Sequence, residues 1–123
     1  MSNPGIRDLK VWQEAVALGG DVVRAMRRHS RRETKAFTDP LLANAGQVAA
    51  KVAEGSARQS LADQRESFRR AKESLAELET RIAIARNADL LPSETATRIG
   101  QRSQTVGKLI AGYIAYLDRQ LGD

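Results

Sequence analysis

Phe68, Ala71, Leu75, Leu78, Ile82 and Ala85 are spaced 3, 4, 3, 4 and 3 residues apart. Steps of three and four put all six side chains on one face of an α-helix; a strand would need a period of two. A helix with such a seam is marginal alone in water, and its stability comes from burying the seam against partners. This seam commits the chain to a helical assembly. Ser60 opens the segment, with Asp63 three residues on as a capping-box variant. Glu66–Arg70 and Glu77–Arg81 stand at i,i+4 on the polar face, in the order that supports a helix.

Three further segments carry helical patterns. Residues 6–32 predict a first helix, with Leu9, Trp12, Val16, Val23 and Met26 as its apolar stripe. Gly19 and Gly20 lie mid-helix, where a glycine costs about 1 kcal/mol relative to alanine, so a bend or a close neighbour is expected there. The polar stretch 30–38 breaks the pattern. Asp39 as N-cap and Pro40 as first helical residue restart it. Leu41, Ala45, Val48 and Val52 then continue to Gly55, expected to end the second helix in a left-handed conformation. Residues 87–92 form the last turn, and Ser93 is expected to cap a fourth helix, with Glu94 near its positive end. Ile99, Val106, Ile110, Tyr113 and Leu117 form its buried stripe. Gly100, Ser103, Gly107, Ala111 and Ala115 form a second stripe of small residues, suited to close packing on another helix in this chain or a neighbouring subunit.

Four helices with short connections predict an all-α fold, an antiparallel up-and-down four-helix bundle forming a single domain over residues 1–123. The length suits one core but hardly two. The chain has no cysteine and one histidine, His29. Thiolate zinc sites, cysteine nucleophiles and multi-histidine metal sites are therefore excluded or nearly so. No apolar run approaches the ~20 residues of a membrane span, and the polar start is unlike a signal peptide. The chain reads as cytoplasmic.

Basic residues exceed acidic ones by 20 − 15 = 5, and the excess is local. Residues 24–35 hold six basic groups (Arg24, Arg27, Arg28, Arg31, Arg32 and Lys35) against one acid, Glu33, for a net +5. Two readings fit. One is an anion footprint for a phosphate backbone, because arginine offers a planar fork of donors that matches phosphate. The other is a set of cations that offset a helix C-terminus or pair with acids elsewhere in the bundle. The few aromatic residues fall mostly on apolar stripes, so stacking on bases is disfavoured and backbone contacts would dominate. Six neutralised phosphates would give a slope of log K against log salt near −5 per subunit.

Candidates for catalysis are thin. Glu54-Gly55 with Arg58 is the most distinctive local feature. Glu54 as a base or ligand lacks a partner acid, metal or nucleophile, and a structural carboxylate that pairs with Arg58 or caps the third helix is the favoured reading. Glu73, Glu77 and Glu79 lack the Glu-x-x-His pattern of carboxylate-bridged metal bundles. His29 reads as an exposed helix-end residue. No enzyme activity, cofactor, metal or small-molecule substrate is implied.

The ordered set Asp8-Leu9-Lys10-Val11-Trp12-Gln13-Glu14-Ala15, Val52-Ala53-Glu54-Gly55 with Arg58 and Ser60, and Phe68, Ala71, Ser74-Leu75, Glu77-Leu78-Glu79 and Ala85 resembles the four helix bundle protein family named after 23S rRNA intervening-sequence proteins, also called the S23 ribosomal protein family. The resemblance covers nearly the whole chain. It implies a cytosolic bacterial up-and-down bundle that forms a ring-shaped homo-oligomer, a pentamer, with no established enzymatic activity. Related accessory proteins of diversity-generating retroelements are basic bundles that bind nucleic acid and a reverse transcriptase. The chain departs from the family pattern in the second helix. Pro40, Leu42 and Ala43 stand where the family usually has a Gln and paired basic residues, and Gln47 and Lys51 replace a Ser and an Asn.

Overall fold

A computed structural model describes residues 5–122 of the chain. Residues 1–4, most of the polar start read above, lie outside the described residues, as does residue 123. One turn of 3-10 helix, Ile6–Asp8, leads into α1, Lys10–His29; a second 3-10 turn, Arg32–Thr34, leads into α2, Lys35–Ala57; α3 is Leu61–Asn87 and α4 is Ser93–Gln120. No strand occurs among the described residues, and none of their helices is long and apolar enough to cross a membrane. The helices pack in a ring of neighbours, α1 on α2, α2 on α3, α3 on α4 and α4 back on α1.

One cluster of buried side chains joins all four. Leu18, Val22 and Met26 of α1 meet Leu41, Val48 and Val52 of α2, Phe68, Leu75 and Leu78 of α3, and Val106, Ile110 and Leu117 of α4. Each large side chain removed from water contributes about 1.5–3 kcal/mol. Between α2 and α3, and between α3 and α4, the contacts run in opposite numerical order. Gly55 meets Phe68 while Asn44 reaches Ser74 and Arg81. Arg65 pairs with Asp118 while Ser103 reaches Glu79.

The seam of α3 is buried at all six positions, and the Ser60 hydroxyl accepts from the Asp63 N–H at 3.0 Å, as a cap does. The expected Glu77–Arg81 pair is not what forms. Arg81 donates to Oδ1 of buried Asn44, whose Nδ2 donates to the Ser74 carbonyl at 3.0 Å. A buried amide requires partners, and the guanidinium is drawn across to supply one.

The stripe read for α1 needs correction. Val16 and Val23 are each 44% exposed, and the buried face is Val11, Ala15, Leu18, Val22, Ala25 and Met26. The helix carries two apolar rows, and the row richer in alanine is the one that fits against close neighbours. Near Gly19 the approach to α2 is close: a Cβ there would lie 3.7 Å from the Ala45 carbonyl oxygen.

The start of α2 also differs. It begins at Lys35, with Pro40 inside it, and Asp39 is not the cap; its carboxylate takes the Lys35 ammonium at 2.6 Å. The polar stretch 30–38 holds Thr38, which is buried, and Phe37, which packs on the core. Burying them outweighs the backbone bond that Pro40 cannot make. Gly55 is not a left-handed terminus. The helix continues to Ala57, and a Cβ at Gly55 would come within 2.7 Å of the Phe68 ring. The left-handed residue between helices is Asp89, at φ 61°, in the turn before α4. Ser93 does not cap α4; Pro92 holds that position, and the Ser93 hydroxyl accepts from Arg86 Nε at 3.4 Å. The small-residue stripe of α4 divides: Ser103 and Gly107 face α3, whereas Ala111 and Ala115 are exposed.

Candidate nucleic-acid interface

The last two turns of α1 and the turn after it carry the six basic residues, and helical geometry distributes them. At 3.6 residues per turn, Arg24 and Arg28 share one side of α1, while Arg27 lies on the far side of the buried row, in line with Val23. Arg31 precedes the 3-10 turn, Arg32 opens it, and Lys35 begins α2.

Their pairing differs as well. Arg24 Nη2 meets Asp21 Oδ1 at 2.8 Å, and Lys35 is held by Asp39. Arg27, Arg28, Arg31 and Arg32 are exposed, and among the described residues no carboxylate lies within ion-pair distance of any of them. So the cluster of six becomes a cluster of four unpaired guanidinium groups beside two neutralised cations. Four like charges crowded at one end of a small molecule repel one another, an interaction that salt screens. An arriving polyanion relieves that repulsion.

A trough of about 850 Å³ runs between α1 and α4. Arg24 and Arg28 line one wall, Arg98 and Arg102 the other, and His29, half-buried at the end of α1 rather than exposed as the sequence suggested, lies at the mouth. Arg102 ties the walls together: its Nε meets Asp21 Oδ2 at 2.7 Å and its Nη1 meets Glu14 Oε1 at 2.9 Å. The hydrogen bond to Asp21 is the largest influence on Arg102 and raises the pKa of its guanidinium above the ordinary value. Sequence reading missed Glu14, Asp21, Arg98 and Arg102. The available signal was the pair of matched rows, Glu14 and Asp21 seven apart on one helix and Arg98 and Arg102 four apart on another.

Glu54 meets Lys51 at 3.1 Å and Arg58 at 3.7 Å, an intrahelical pair and a helix-end pair. These pairs stay within the end of α2, which is seated on α3 by Gly55 under Phe68 and by the Arg58 carbonyl accepting from Gln64 Nε2 at 2.9 Å. The aromatic rings are used inside the bundle: Phe68 stacks on Tyr113 at 4.4 Å, and Trp12 and Phe37 pack on the core. Tyr116, against Tyr113 edge-on, is 44% exposed.

A small basic protein of four helices around one core, with an arginine-rich end, is the class that these features define. The chain belongs to the 23S rRNA-intervening sequence protein family, whose model matches residues 7–112. Among solved structures it is similar to a crystal structure of a protein of unknown function from the S23 ribosomal protein family of Bacteroides thetaiotaomicron. That likeness has a TM-score of 0.79 at 17% identity, over 85% of this chain and 97% of the other, and speaks to the fold alone. No curated protein matches the chain.

Proposed function

We propose that this protein is a non-enzymatic antiparallel up-and-down bundle that assembles with copies of itself in the bacterial cytoplasm, as a pentameric ring, and holds RNA or DNA by the backbone. The observation that carries the binding reading is the exposure of Arg27, Arg28, Arg31 and Arg32 without acidic partners among the described residues. A ring repeats this modest patch, so weak contacts add through effective concentration. Self-assembly is favoured by Val16 and Val23, left in water on one face of α1, and by the exposed Ala111 and Ala115 of α4. A titration with labelled generic RNA and DNA at two salt concentrations tests this. Replacing Arg27, Arg28, Arg31 and Arg32 together with Gln abolishes binding; replacing Arg28, Arg31 and Arg32 alone, off the Val16–Val23 row, weakens binding and leaves the sedimentation of the assembly unchanged.

A protein-interaction module without nucleic acid is the second reading. The same exposed valines favour it, as does the pairing of Arg24 and Lys35 with acids. Absence of binding at either salt concentration, with assembly intact, decides for it.

A further inference from the structure

The trough between α1 and α4 has graded charge. Toward Glu14 its cations and acids match: Arg24 and Arg102 share Asp21, and Arg102 also holds Glu14. Toward His29 they do not. Arg28 has no carboxylate partner among the described residues, and Arg98 has only Glu94 at 3.4 Å, itself 85% exposed. An exposed pair of that kind is worth at most about 1 kcal/mol and is readily exchanged for another anion. The positive end opens into a second hollow of about 360 Å³, lined by Arg28, His29, Arg31 and Asp89 among others, which joins the trough to the arginine cluster.

The dimensions select among polyanions. A hollow of about 850 Å³ on the outside of two packed helices can take in a short run of sugar-phosphate chain but not a whole duplex. Arg24 and Arg28, like Arg98 and Arg102, are four residues apart, so each row steps by about 6 Å along its helix. That step suits successive phosphates of an extended strand. No Phe, Tyr or Trp lines the trough among the described residues, and His29 is its one ring, so most bases would face outward and go unread.

We propose that this trough seats the backbone of one extended nucleic-acid strand, entering at the His29 end, with Arg28 and Arg98 gripping adjacent phosphates from opposite walls. The surface therefore prefers single strands to duplex. The inference rests on the backbone-binding reading and adds to it a site on α4, outside the arginine cluster.

The test uses the full chain, a labelled oligo-dT strand, and the duplex of that strand with oligo-dA. The wild type binds the strand more tightly than the duplex. Arg98→Gln, which disturbs only an exposed ion pair, weakens strand binding about three- to tenfold and lowers the magnitude of its salt slope by about 0.7, one phosphate contact. Duplex binding stays within about twofold, and Arg98→Lys, which keeps the charge, recovers most of the loss. Equal weakening of strand and duplex, or no effect of Arg98→Gln on the strand, overturns the trough. If the fourfold arginine variant abolishes binding while Arg98→Gln changes nothing, the trough alone fails and the backbone reading survives. If the wild type binds neither probe, both fail.

Discussion

At the scale of the residue, glycine shows how one sequence feature takes opposite meanings in two places. Gly55 stands against Phe68 with no room for a methyl group: a Cβ would meet the ring at 2.7 Å. The ring is itself buried and stacked on Tyr113, so it cannot swing away without giving up that contact. Gly55→Ala is therefore expected to destabilise the fold by about 1–3 kcal/mol, the usual penalty of overpacking, despite alanine's better helix propensity. Gly46 lies in the same helix with nothing within 4 Å of an added Cβ. There, Gly46→Ala is expected to stabilise by about 0.5–1 kcal/mol. Urea unfolding of the two variants beside the wild type checks both signs at once. Equal shifts would mean that the Gly55 contact with Phe68 is not what holds α2 and α3 together.

At the scale of the element, legibility depended on whether one apolar row or two competed for the core. α3 was readable because Phe68, Leu75, Leu78 and Ile82 form its single strong row and Ser60 caps it. α1 offers two rows: Trp12, Val16 and Val23, spaced 4 and 7 with a gap at Gly19 and Gly20, compete with Val11, Ala15, Leu18 and Val22, spaced 4, 3 and 4. Close packing on α2 and α4 selects the second, whose alanines let backbones approach. α2 was entered too late because Pro40 looked like a first residue, although Phe37 and Thr38 before it already face inward. Pro40 sits in the second turn, where it forgoes the backbone bond to Ala36 and strains the turn before it. Pro40→Ala should raise stability by about 1–2 kcal/mol, less than the full cost of a proline in a helix interior because the site is close to the helix start. Thermal unfolding of this variant reads the gain. A loss would show that the proline's stiffening of the unfolded chain outweighs the missing bond.

At the scale of the whole molecule, the charge was legible as a sum but not as a surface. The sequence places six basic residues in a run of twelve positions. Asp21, three residues before Arg24, and Asp39, four after Lys35, answer two of them as local neighbours, but only the fold reveals that Arg98 and Arg102, some seventy residues away in the chain, face Arg24 and Arg28 across a trough. Such cross-helix matches have no local signal, because they depend on which faces of α1 and α4 meet. The revised count changes the expected electrostatics: four unpaired arginines replace six cations. The most direct test is the slope of log K against log salt for a labelled DNA duplex, which can engage the arginine end but not the trough. Four phosphate contacts predict a slope between about −3 and −4 per subunit, falling to near zero in the variant with Arg27, Arg28, Arg31 and Arg32 changed to Gln. A wild-type slope near zero, or one that the fourfold variant leaves intact, would contradict the assignment of these arginines to a nucleic-acid backbone.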